Sequence, residues 1–273
     1  MIITEVIHWF GDGAHWEGQD GVPTRFAQHL VISGEAMLIA SAIALPVAII
    51  LGHLGRGGFL AVNVSNIGRA VPSFAILVLA AQVPSIGVGD TAAEVALIAL
   101  ALPPIVTNAY VGMTSVDPEV KEAALAMGMS GRQVLRRVEL PLALPLILAG
   151  LRTSAVQVIA TATLAAEVAA GGLGRYIVDG IAESDYAQVW AGALLVGGLA
   201  LAVDGLFAVG QRRAARASGR RPLRPGQVIE EPAELVTEAA GQGTSGAAGQ
   251  GTSGAAGQGT SGAAGHERAE RTG

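Results

Sequence analysis

The chain predicts an all-α fold, a polytopic bundle of about five membrane-spanning helices. Three observations carry this. Half of its 273 residues are apolar and the mean hydropathy is +0.50. Only 14% are charged, against about a quarter in a soluble domain. Those charges avoid long stretches: residues 30–51 hold only Glu35, 95–111 hold none, 140–166 only Arg152, and 186–210 only Asp204. Runs of that length cross a bilayer core as helices, and their many glycines suit close helix packing in lipid.

The spans are expected at roughly 29–52, 63–83, 92–112, 139–164 and 187–210. The second carries Arg69 and Pro72 near its start, where an arginine can snorkel to the interface. Residues 166–181 are too charged and glycine-rich for a simple span and read as a loop holding a short helix. Pro46 and Pro145 lie within apolar runs, and Asn108 follows Pro103-Pro104, where it can satisfy backbone groups freed by a kink. No cleavable signal peptide is evident, because the first apolar run is long and starts late.

Basic residues set the orientation. Arg56, Arg69, Lys121, Arg132, Arg136 and Arg137 fall on one side, joined by Arg212, Arg213, Arg216, Arg220, Arg221 and Arg224. The other side has only Arg25 and Arg175 among several acidic residues. The N-terminus is therefore expected outside and the C-terminus in the cytoplasm of a multi-pass plasma (inner) membrane protein. Residues 1–28 form an extracytoplasmic segment, 29–210 the membrane domain with a cytoplasmic loop at 113–138, and 211–273 a cytoplasmic tail. The tail repeats AAGQGTSG three times over 239–262, with no apolar side chain larger than alanine, and is expected to be disordered.

The cytoplasmic loop breaks the apolar pattern. Asp117 and Pro118 suit a helix start, Glu119 favours its dipole, and the helix runs to Gly128. Ser130 with Gln133 three residues on marks a second start. The result is two short helices with a joint at Gly128-Met129, and Leu125, Met129, Val134 and Leu135 have nothing evident to cover. Such a hairpin either lies on the bilayer surface or docks a cytoplasmic partner.

Some chemistry is excluded. The single lysine, Lys121, is followed by Glu122, so no phosphate-binding loop exists and the chain is not itself an ATPase. His8, His15, His29, His53 and His266 lack metal-ligand spacing, and there is no cysteine. No metal, bound cofactor or nucleic-acid partner is expected. GGLG at 171–174 reads as a turn or close packing point. Arg152 stands eleven residues past Pro141, about 16 Å along its helix and near mid-membrane. A charge there faces protein or water rather than lipid. It is either a structural pair or part of a solute path, with Glu35, Glu167 and Asp204 as candidate partners.

Glu122, Ala123, Ala124, Gly128, Val138, Leu140 and Pro141 match E-A-A, three residues, G, nine residues, apolar-x-L-P. This resembles the EAA loop of permease subunits of binding-protein-dependent ABC importers, with valine where isoleucine is commoner. The stretches NIGRAVPSFAILVLA, LPPIVTNAYVGMTSVDPEVKEAALAMGMS and RVELPLALPLILAGLRTSAVQVIATATLAAEVAAGGLG resemble the osmoprotectant branch, over roughly residues 29–208. The resemblance implies a type I importer permease fold and a pore for glycine betaine, choline, carnitine or proline. It also implies partners: an ABC ATPase dimer that uses the ATP, an extracytoplasmic solute-binding protein, and a second permease copy or paralogue. Glu122, Ala123, Ala124, Gly128, Leu140 and Pro141 would then couple to the ATPase, and Arg152, Asn108, Pro72 and Glu167 would belong to the translocation path or gate. The alternatives are a permease of the same class for methionine, a polar amino acid or a sulfonate, and a non-transporting scaffold.

Overall fold

The computed structural model describes residues 2–59, 63 and 71–217, with side chains to 214. All lie in the compact unit Met1–Pro222. The helices are α1 (Ile2–Gly11), α2 (Val22–His53), α3 (Ser73–Ala81), α4 (Asp90–Thr114), α5 (Pro118–Ala126), α6 (Gly131–Val134), α7 (Leu140–Thr161), α8 (Gly174–Glu183) and α9 (Tyr186–Ala217). A π turn, Leu135–Glu139, joins α6 to α7, and 3₁₀ turns lie at Gly13–Trp16 and Ala162–Val168. No strand occurs among the described residues.

Among the described residues, four segments are long and apolar enough to cross a membrane: Val22–His53, Asp90–Thr114, Gly131–Val168 and Tyr186–Ala214. The expected span at 63–83 lies partly outside the described residues, and its described helix, α3, has nine residues. His53 ends α2 beside Glu139, whereas Asp90 starts α4 near Thr24 at the opposite end. The repeats at 239–262, Arg69, Arg220, Arg221, Arg224, His266 and the Arg216 side chain lie outside the described residues.

Three boundaries depart from expectation, two of them for one physical reason. The first span starts at Val22 rather than 29, with Pro23 in its first turn. Its early polar residues do not end the helix because protein groups satisfy them. Arg25 pairs with Asp20 and donates to Gln28 Oε1 at 3.1 Å, and His29 meets the Ile159 carbonyl at 3.0 Å. The last span likewise runs to Ala217 rather than 210, with Gln211 donating to the Pro145 carbonyl at 3.4 Å. The fourth span does not begin at 139, because α6, the π turn and α7 form one continuous rod from Gly131 to Thr161.

The core is a seam between α2 and α4. On α2, Ala36, Ala40, Ala44 and Ala48 are all buried at a spacing of four, continued by Gly52. On α4 the matching row is Ala93, Leu97, Ala101, Ile105, Ala109 and Met113. Rows with this spacing form the ridges of packed helices, and small residues let the backbones approach closely. A Cβ added at Gly52 would stand 2.4 Å from Met113 Cβ. On the other face of α4, an added Cβ at Gly150 of α7 would stand 2.7 Å from Asn108 Cβ, and the Ser154 hydroxyl donates to the Ala101 carbonyl at 2.8 Å. Lipid supplies no hydrophobic drive between helices, so such close contacts and internal hydrogen bonds hold the bundle.

At the end where α2 begins, α1 covers α9. Buried Trp9 meets Tyr176 of α8 edge-on at 5.3 Å and stacks on His15 at 4.2 Å. The Tyr176 hydroxyl donates to the Asp20 carbonyl at 2.5 Å. Burial raises the Tyr176 phenol above its usual value; the nearby Arg25 charge opposes this and that of Asp20 adds to it.

Candidate functional site

The loop after α4 folds as its capping residues dictate. The Asp117 carboxylate accepts from the Glu119 amide at 2.8 Å, and Pro118 occupies the first turn of α5. The helix stops where Gly128 enters the left-handed region at φ +84°, a conformation that costs glycine little. The Met129 amide then closes back on the Ala124 carbonyl at 3.2 Å. The Ser130 amide donates to Gln133 Oε1 at 2.8 Å, opening α6. Ala124 is buried, whereas Glu122, Ala123, Val120, Leu125 and Met127 are exposed, Met127 at 73%. Val120, Ala123 and Met127 stand at i, i+3 and i+7 and so line one face of the helix. Of the residues expected to lack cover, Val134 is in fact buried and Leu135 is half-buried against the core.

Leu140 is half-buried and Pro141 exposed at the start of α7. Proline inside a continuous rod has no N–H and crowds the carbonyl four residues earlier. The chain opens one wide turn just before it, the Leu140 amide reaching back to the Leu135 carbonyl. Such single π turns recur at functional sites. This one ends on Glu139, which is 1% exposed. Its Oε1 accepts from Lys121 Nζ of α5 at 3.0 Å, and its Oε2 is paired with His53 Nδ1 at the end of α2. Sequence reasoning missed both Glu139 and His53. The available signal was an acidic residue inside VELP, at the edge of an apolar run.

Of its three candidate partners, Arg152 pairs with Asp204. Its Nε and Nη2 donate to the two Asp204 oxygens at 2.6 and 2.7 Å, and its Nη1 to Gln211 Oε1 at 3.1 Å. Both members of the pair remain about a third exposed, at 35% and 36%. The other candidate partners lie elsewhere: Glu35 is within hydrogen-bonding reach of Glu94 on α4, and Glu167 is exposed in the 3₁₀ turn. Asn108 donates to the Pro104 carbonyl at 2.8 Å, one turn back on its own helix, rather than to the carbonyls of residues 99 and 100 that the two prolines leave without an N–H. Pro72 is exposed at the N-cap of α3. No hydrogen bond or ion pair joins any two of Arg152, Asn108, Pro72 and Glu167 among the described residues.

The GGLG turn is a close packing point. A Cβ on Gly171 would stand 2.5 Å from Gln28 Oε1, and one on Gly174 2.1 Å from the Thr163 carbonyl oxygen. Beside it lies an open cleft of about 340 Å³, lined by Thr24, Gln28, Val31, Ile32, Asp90 and Gly171 among others. No group of three potential metal ligands occurs among the described residues.

Residues 44–216 match the family of binding-protein-dependent transport system inner membrane components. The chain belongs to that family. The permease is 37% identical over 189 residues to a glycine betaine/carnitine/choline transport system permease protein of Bacillus subtilis (strain 168), 69% of this chain and 86% of that one. It is 40% identical over 184 residues to a carnitine transport permease protein of Listeria monocytogenes, 67% and 83% of the two chains. An osmoprotectant import permease protein of Salmonella typhimurium (strain LT2) is 37% identical over 188 residues, 68% and 79% of the two. Among solved structures, an inward-facing conformation of the MetNI methionine ABC transporter matches with a TM-score of 0.58 at 23% identity, covering 72% of the permease and 95% of that chain. That likeness shows the fold. The permease is thus a non-enzymatic, multi-pass inner membrane subunit, and its family implies a separate ATPase subunit and a binding protein.

Proposed function

We propose that the permease forms half of the pore of an ATP-driven importer for osmoprotectants: glycine betaine, choline, carnitine or proline. The observation that carries the solute class is the identity of 36–40% to relatives named for choline, carnitine and glycine betaine transport, over more than four-fifths of their length. The second half is another copy or a paralogue.

The coupling element is α5 with the turns around it: Glu122, Ala123, Ala124 and Gly128, passing through Leu140 and Pro141 to α7. Exposed Val120, Ala123 and Met127 offer a compact apolar face to a groove on the ATPase, and Glu122 a charge beside it. The reading that this end of the bundle is cytoplasmic is supported by exposed Arg132, Arg136 and Arg137, whereas Arg25 and Arg175 at the other end pair with Asp20 and Asp179. The N-terminus is accordingly outside and the C-terminus in the cytoplasm.

In this reading the ATPase dimer closes on ATP and displaces α5. The pore opens outward, receives solute from the binding protein, and releases it inside on reset. ATP shifts that equilibrium only because the two pore states hold the ATPase differently. Arg152, Asn108, Pro72 and Glu167 are proposed residues of the path or its gate. As a cation Arg152 suits the carboxylate of a betaine better than its quaternary ammonium, and it would have to exchange Asp204 for the solute to reach it.

Reconstitution of the permease with its ATPase and binding protein in proteoliposomes tests this. Labelled glycine betaine, choline, carnitine or proline should enter only with internal ATP and all partners. Uptake of methionine or a sulfonate instead refutes the solute class, and uptake without the ATPase refutes the importer.

A further inference from the structure

We infer that Glu139 is a positioning residue that transmits the displacement of α5 to the end of α2. The inference rests on the coupling reading above and names the contact by which the loop acts on the first span.

Three elements distant in the sequence meet on this carboxylate: α5 through Lys121, α2 through His53, and the rod of α6 and α7 through Glu139 itself. Each carboxylate oxygen has its own partner, so a single group bridges two moving parts. At 1% exposure the side chain has almost no contact with solvent, so its two oxygens depend on these protein partners. The other polar contacts of the loop are local, Asp117 to Glu119 and Ser130 to Gln133. Among the described residues the Lys121–Glu139 pair is the one ion pair that ties α5 to the spans. Lys121 is also the only lysine of the chain and directly precedes Glu122. On the α2 side, Gly52, next to His53, packs so closely on Met113 that an added Cβ would stand 2.4 Å from Met113 Cβ, so the end of α2 is in direct contact with α4.

The π turn places Glu139 there. Adding one residue to a turn rotates everything beyond it by about 100° relative to an unbroken α-helix. The turn therefore decides which face of the rod Glu139 occupies, and the chain opens it directly before Pro141.

The test uses the full transporter, permease with ATPase and binding protein, in proteoliposomes, and reads glycine betaine uptake per ATP hydrolysed by assembled complex. E139Q keeps the side-chain shape and removes the charge; K121M acts at a partly exposed site that leaves Glu139 paired with His53. Both should lower uptake per ATP by at least about fivefold, the lower range of allosteric coupling. K121R should retain it, and K121M/E139Q should be no worse than the poorer single variant. The inference is overturned if the variants keep the unmodified ratio. It is equally overturned if their losses follow only the amount or thermal stability of assembled complex, or if K121R fails as K121M does. Failure of the coupling reading is distinct: the unmodified transporter itself would then take up solute without ATP.

Discussion

Gly52→Ala puts a methyl carbon 2.4 Å from Met113 Cβ, inside the main seam of the bundle. Carbon atoms in contact prefer about 3.5–4.0 Å, so α2 and α4 must separate locally by roughly 1–1.5 Å or bend. Met113 Cβ is fixed to its backbone and fully buried, so no rotamer change relieves the clash. Overpacking of this kind costs about 1–3 kcal/mol. Alanine also gains up to about 1 kcal/mol of helix propensity, which hides part of that cost. Gly198→Ala on α9 isolates it, because nothing lies within 4 Å of an added Cβ there and the propensity gain is shared. The two variants should therefore differ by the packing cost alone. At about 2–4 °C per kcal/mol for a domain of this size, G52A should melt about 2–12 °C below G198A. Thermal unfolding of the detergent-purified permease, read by monodispersity on size exclusion, measures this. Equal melting of the two variants would refute the close approach of α2 and α4.

Two further perturbations follow from the polar contacts. R152A should give less monodisperse protein than R152A/D204A, because the single variant leaves the Asp204 carboxylate without its partner within an apolar span; yields on size exclusion decide the order. Tyr176 is held neutral mainly by burial, so its folded pKa lies above the ordinary value of about 10. Its stabilising effect is complete below pH 10 and is lost as pH rises toward the folded pKa. Y176F should thus lower stability by about 1 kcal/mol at neutral pH through loss of the bond to Asp20 and flatten the decline above pH 10, both read from melting curves across pH.

The fold of the loop after α4 was legible because its signals are local: Asp117, Pro118, Gly128, Ser130 and Gln133 act within a few residues of themselves. The spans were legible from uninterrupted apolar length. Their ends were not, since Arg25, His29 and Gln211 sit inside helices only because distant groups satisfy them. The partner of Arg152 was equally hidden. A span apolar on all sides does not reveal its rotation, so three acidic residues stood level until the packing selected Asp204. Glu139 escaped for a related reason: its face depends on a π turn, a surplus of one residue that no periodicity announces. The alanines at 36, 40, 44 and 48 were in plain view, but abundance of small residues drew attention to glycine first.

The alanine row has a consequence for motion. Alanine and glycine have no χ angles, so the face α2 presents to α4 cannot exchange one set of rotamers for another. A joint built of long side chains can absorb a push by reshuffling; the α2 side of this one has no such slack, and what adjustment there is lies with Leu97, Ile105 and Met113 of α4. A displacement of one helix against the other is therefore met on the α2 side by backbone alone.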